Sequence, residues 1–321
     1  MIDFNSKEHA FIPLLDRDSA VENVGRIYSP QLELLRDVTN YGTNLIPRAY
    51  TSSGKGLKDL VVVGILLRQI VAMLDAIEVL ASSGIVHEAG LQARAIFEAS
   101  LSLEWILESD SENKAAHYYV HNLRRMRRWA RATVKGTVEA EALDAEIASL
   151  PTMQDPKIVE EAQNQVKAID KILVQPELSS ANNAFEACMY PKTGMDKHWY
   201  VPLGMKSLKE LAKDCGKLSQ YQTFYASWSE TTHGTAYGPH VQFDANGTVH
   251  FEALRKLTKF PELIRTSVAF AFNAYRLVLN EYRDGELPAY GRKYIENWKK
   301  AFMEIPRVNY SINHTGPAAG I

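Results

Sequence analysis

The chain has 321 residues, with 36 Lys and Arg against 38 Asp and Glu, and a formal net charge of -2. With 46% hydrophobic and 23% charged residues it has the make-up of a folded globular chain, which excludes wholesale disorder, a collagen-like repeat and a disulfide-built scaffold. The near-zero charge also excludes a protein that coats nucleic acid by bulk charge alone.

Residues 1–29 read as an irregular lead-in with one short helix. From Pro30, the apolar positions Leu32, Leu34, Leu35 and Val38 predict a helix towards Asn44, with Pro30 in its first turn. The turn-rich stretch AYTSSGKGLKD then breaks the chain; its glycines and Lys55 lack the spacing of a phosphate loop. Two long apolar helices follow, about Leu57 to Ala81 and Val86 to Glu108, and the short Ser82-Ser83-Gly84 link predicts an antiparallel hairpin. The stretch Leu60 to Leu80 is long enough to span a bilayer, but it carries Arg68, Asp75 and Glu78, so it reads as a buried helix of a soluble protein.

Ser111 to Lys135 is a third long helix. A short acidic helix over 137–149 and an amphipathic helix from Lys157 to Leu173 come next. The stretch 174–205 holds Pro176, Pro191 and Pro202 and predicts short helices and loops, with the character of a flap. Helices are expected over 207–218 and from about 219 to His233. VQFDANGTVHFE then alternates around Asn246-Gly247, a strong hairpin signal. Pro261 to Tyr282 and Tyr290 to Met303 close the helical set, and the polar tail after Pro306 reads as loosely held.

The fold class is mainly α, a multi-helix bundle with one small β-hairpin near residues 240–252. Its domain organisation is an N-terminal lead-in and helix (1–56), one helical domain (57–303) with an irregular insertion at 174–205, and a flexible tail (304–321). Two cysteines without CxxC spacing, and an acidic N-terminus without a basic lead and apolar run, predict a reduced, cytoplasmic chain.

Chemistry concentrates in four places. Arg94 and Glu98 stand four apart on an apolar helix, and Arg68 and Asp75 share a face of the preceding one, so an internal polar network is expected. Tyr225, Ser229 and His233 follow i, i+4, i+8 along one side of a helix that Gly234 ends, where the helix dipole favours a charged imidazole. A structural salt bridge and a helix-capping His are the plain alternatives. Arg124, Arg127, Arg128 and Arg131 form one stripe suited to phosphate, or a solvated face neutralised by Glu139 to Glu146. His117 and His121 are one turn apart, but Tyr118 replaces the usual Glu and no further ligand is evident, so neither a metal nor a cofactor is expected. His87, His198, His240 and His250 are isolated in sequence and carry no assignment.

RAIFEA, with Arg94, Phe97 and Glu98, and YQTFYASWSETTHGTA, with Tyr225, Ser229 and His233, resemble the two halves of a bacterial family, the domain of unknown function family 5677. The resemblance spans residues 60 to 280 in patches. It implies an all-helical, cytosolic bacterial protein, and it implies that the Arg94/Glu98 helix faces the Tyr225/Ser229/His233 helix.

Two functions stay open. One is a polar Arg/Glu/Tyr/Ser/His site that binds a ligand or partner, with RNA or a small phosphorylated ligand as its class, no membrane partner, and a homo-oligomer compatible with the chain. The other is a metal-independent HEPN-like ribonuclease or phosphodiester-cleaving effector. There Arg94 would stabilise phosphorane charge and His233 would act as acid or base, while Glu98, Ser229 and Tyr225 position and the arginine stripe holds substrate.

Overall fold

The computed structural model describes residues 15–143, 147, 149–191, 193–228, 240–243, 245–247, 249–308 and 311–312. It is mainly α. Helix α1 (Arg17–Ser52) opens the chain, with Asp16 as N-cap accepting from the Ser19 amide at 2.9 Å. The expected helix start at Pro30 is thus moved back by thirteen residues. Pro30 lies inside α1 because the chain kinks at Tyr28 (φ -122°, ψ 18°), which accommodates the missing donor and the bulk of the ring.

Helix α2 (Leu57–Ser82) contains a π-helical stretch, Leu60–Leu67. Then come α3 (Gly90–Glu108), α4 (Ser111–Ala132), α5 (Pro156–Leu173), α6 (Pro176–Cys188) and α7 (Leu208–Asp214). Pro156 and Pro176 each occupy a first helical turn, where a missing N–H costs nothing. The stretch expected to be irregular therefore contains the thirteen-residue α6. Helix α8 (Leu218–Gln220) continues through a π-helical turn, Tyr221–Tyr225. Strands β1 (Val241–Phe243) and β2 (Val249–Phe251) pair antiparallel, Gln242 opposite His250, and Gly247 at φ +80° supplies the left-handed turn position. Strand β3 (Arg255–Lys256) pairs with β4 (Ser311–Ile312), so part of the sequence-expected loose tail is tied down. Helix α9 (Phe260–Tyr282) precedes α10, which runs as Leu287–Lys293, the π-helical Tyr294–Trp298 and Lys299–Met303.

The chain divides into two compact units. The first comprises residues 1–55, 62–104 and 215–321. Its core is α1 against α2 and α9. Gly42 lets them close up: a Cβ there would lie 2.2 Å from the Tyr275 hydroxyl and 2.5 Å from Val71. Tyr275 is fully buried and donates to the Val38 carbonyl at 3.1 Å. Helix α2 is long and apolar enough to cross a membrane, yet Val62, Val63, Leu67, Ile70, Leu74 and Ile77 are each fully buried in this unit. Arg68 and Asp75 are exposed on the opposite side, so the expectation that they join an internal network does not hold. A helix apolar on nearly every side hides its orientation from a periodicity reading.

The second unit comprises residues 56–61 and 105–214, built on α4 against α5 and α6. Lys114 is only 7% exposed; its Nζ donates to the Trp105 carbonyl at 2.7 Å and lies 4.2 Å from the Trp105 ring centroid. It thereby satisfies a carbonyl in the last turn of α3, which explains a Lys where a capping Glu would be usual.

Candidate functional site

Within the first unit, α3 presents His87, Gly90, Arg94 and Glu98 on one face, reading back into the turn that precedes the helix. This face packs on the α8 segment. Gly90 is essential to the approach: a Cβ there would stand 1.5 Å from Cε3 of the fully buried Trp228. Phe97 packs tilted against Tyr225 at 5.4 Å and edge-on to Phe270 at 5.2 Å, and Phe224 joins Phe270 at 5.8 Å.

Arg94, Glu98 and Tyr225 close a triangle. Arg94 Nε donates to Glu98 Oε1 at 3.1 Å, and another guanidinium nitrogen donates to the Tyr225 hydroxyl at 2.7 Å. The hydroxyl in turn donates to the same carboxylate oxygen at 2.9 Å. The guanidinium also lies 4.6 Å from the Tyr225 ring centroid. The π-helical turn ends on Tyr225; such turns re-aim a side chain and are frequent at functional sites.

The electrostatics follow from this packing. Burial and the Glu98 charge push the Tyr225 phenol well above its usual range, so it remains a hydrogen-bond donor. Burial pulls the Arg94 pKa down, but Tyr225 and Glu98 outweigh it and hold the charge firmly. The site is not sealed: the Arg94 side chain is 21% exposed and that of Glu98 is 44% exposed. This corrects the expectation of a wholly internal pair.

Three groups that sequence reading left unassigned, His87, His240 and Lys259, lie on the same seam. The His87 ring is 6.0 Å from Trp228 and 5.9 Å from His240. Lys259 Nζ stands 5.3 Å from the Trp228 ring centroid. Burial lowers the His87 pKa, Glu88 works against that, and Lys259 and His240 add to it. Positions 87, 90, 94 and 98 share one face in the expected Val86 to Glu108 helix, a signal available in the sequence, although the helix itself begins only at Gly90. Ser229 and His233 lie outside the described residues.

The arginine stripe resolves differently. Arg124 is buried: Nε donates to Asp196 at 2.9 Å, and one terminal nitrogen donates to Asn182 at 2.7 Å and Glu186 at 2.6 Å. Arg127 pairs with Asp170 at 3.1 Å and Arg131 with Glu139 at 2.9 Å. Arg128 has no ion pair among the described residues. Three of the four thus hold the second unit's helices together, and Arg124 leaves the expected solvent-facing stripe. His117 turns Nδ1 to the Asn113 carbonyl at 2.9 Å, and the His117 and His121 rings pack 5.9 and 5.8 Å from Phe185. Among the described residues, no three His, Cys, Asp or Glu side chains gather as metal ligands would.

No curated protein and no solved structure matches the chain. A family model, described as a family of unknown function (DUF5677), matches residues 60–248, a span that contains Arg94, Glu98 and Tyr225. The chain belongs to the family of unknown function DUF5677.

Proposed function

We propose that the Arg94 seam binds a small phosphorylated ligand. One observation carries this reading: a guanidinium fixed by Tyr225 is engaged by a carboxylate, Glu98, whose side chain is almost half exposed. A guanidinium fork fits a phosphate as it fits a carboxylate. An exposed carboxylate contributes little to such a pair and is readily displaced. The protonated Tyr225 hydroxyl then donates to the incoming oxygen, and Lys259 on the same seam favours negative charge. Calorimetric titration of the full chain with inorganic phosphate and a nucleoside monophosphate tests this. Arg94→Ala should weaken binding by about tenfold or more with helical content unchanged. Absence of binding to the unsubstituted protein would remove the proposal.

The ribonuclease reading is supported by one further observation. Trp228 and His240, the described residues on either side of 229–239, both pack on His87, two helical turns from Arg94. His233 belongs to the sequence between those two residues, and the reading takes it as the partner of Arg94. In that reading His233 takes the ribose 2′-hydroxyl proton and the oxygen attacks phosphorus while Arg94 stabilises the added charge; the P–O5′ bond then breaks, leaving a 2′,3′-cyclic phosphate, and the departing 5′-oxygen takes a proton from the His233 imidazolium or from water. Incubation with labelled RNA in EDTA, beside His233→Ala, decides it: cleavage lost only in the variant supports the reading, and equal results from both proteins reject it.

A further inference from the structure

The aromatic side chains beside the Arg94 triangle form a row that leads from the core towards solvent. Phe270 and Phe97 are buried at its inner end, 5.2 Å apart, and the buried Tyr225 follows 5.4 Å from Phe97. Tyr221, one turn back along the α8 segment, ends the row. Its ring stacks on that of Tyr225 at 5.0 Å with an interplanar angle of 22°.

The last ring differs from the three before it. Tyr221 is half-buried, and among the described residues its ring has no aromatic or cationic partner other than Tyr225. The stack covers one face, so the accessible part of Tyr221 is the other face and its edge. Among the described residues, Arg94 is the one cation that packs on these four rings. Lys217, a further turn back, is engaged by Glu104 at 3.2 Å. The row also limits a distance. The Arg94 guanidinium is 4.6 Å from the Tyr225 centroid and Tyr221 is 5.0 Å beyond that centroid, so those two spans are the most that can separate the charge from the open ring. A nucleotide carries its phosphate and its base within such a reach of one another.

We infer that the ligand of the Arg94 seam is a purine nucleotide, with its phosphate on Arg94 and its base stacked on the open face of Tyr221. This rests on the reading of that seam as a phosphate site, and it adds the residue that selects what the phosphate carries. The base extends the row of rings by one member. Such a stack needs no hydrogen-bond readout, because every base has a π-face, and a purine has the larger one. A sugar phosphate can reach Arg94 but has no ring to offer Tyr221.

The test is calorimetric titration of the full chain with adenosine monophosphate and with ribose 5-phosphate, which keeps the phosphate and sugar and lacks the base. Adenosine monophosphate should bind about five- to a hundredfold more tightly. Tyr221→Leu keeps the bulk and removes the π-face. It should bring adenosine monophosphate down to the level of ribose 5-phosphate and leave the latter unchanged, whereas Tyr221→Phe should retain the preference. Should Tyr221→Leu lose helical content, the Tyr221 ring protons of the unsubstituted chain decide by nuclear magnetic resonance: they should move upfield with adenosine monophosphate and not with ribose 5-phosphate. Equal affinity for the two phosphates would overturn the stack and leave the phosphate site standing, and binding of neither would overturn both. A preference that survives in a folded Tyr221→Leu, or unmoved Tyr221 ring protons, would equally overturn the inference.

Discussion

Tyr225 accepts from Arg94 and donates to Glu98 through one hydroxyl, so it couples both charged partners. Because both lie at the solvent boundary, Tyr225→Phe should cost only about 1 kcal/mol in urea unfolding. A loss above about 3 kcal/mol would mark a sealed structural network instead. Gly90→Ala should be harsher for its size. The added methyl meets the buried Trp228 ring, an overpacking worth about 1–3 kcal/mol, and a shifted tryptophan emission should accompany it. At this scale Arg94, Glu98 and Tyr225 were legible from helical spacing and the family resemblance. Their half-exposed setting was not, because apolar neighbours along a sequence do not tell which side of a helix meets water. His87 lies within the expected Val86 to Glu108 helix, but as a lone histidine isolated in sequence it carried no assignment.

Among the elements, the sequence marked α5, α9 and the β1–β2 pair clearly, since proline at a helix start and Asn-Gly in an alternating run are local signals that tertiary contacts did not override. Helix α1 and the chain end were harder. Pro30 looks like a first turn and is instead a kink, and the polar stretch after Met303 holds Ile305 at 7% exposure and a Pro306 carbonyl that accepts from Tyr28 at 3.2 Å. Truncation after Met303 should therefore cost about 2–3 kcal/mol, whereas truncation after Val308 should cost under about 1 kcal/mol in urea unfolding. Helix α4 carries a pH dependence. Burial, against the pull of Asp196 and with His198, Arg125 and Arg124 adding to it, lowers the His121 pKa from 6.5 to about 4. Between those values the unfolded chain takes up a proton that the folded chain refuses. Stability from this group is thus complete above pH 6.5 and lost as the pH falls towards 4, by up to roughly 3 kcal/mol. Urea midpoints across that window should slope with pH, and His121→Gln should flatten the slope.

For the whole molecule, each unit uses its charges differently. The second spends its arginines on carboxylates within its own helices, so a charge run that reads as a nucleic-acid footprint is mostly internal cement. The first keeps a guanidinium at the solvent boundary, guarded by a carboxylate that the sequence alone cannot distinguish from a permanent partner. The most direct measurement is the phosphate affinity of Glu98→Gln beside that of the unsubstituted chain. If Glu98 occupies the anion's place, removing its charge should tighten binding about two- to fivefold. Weaker or unchanged phosphate binding in Glu98→Gln would contradict the account.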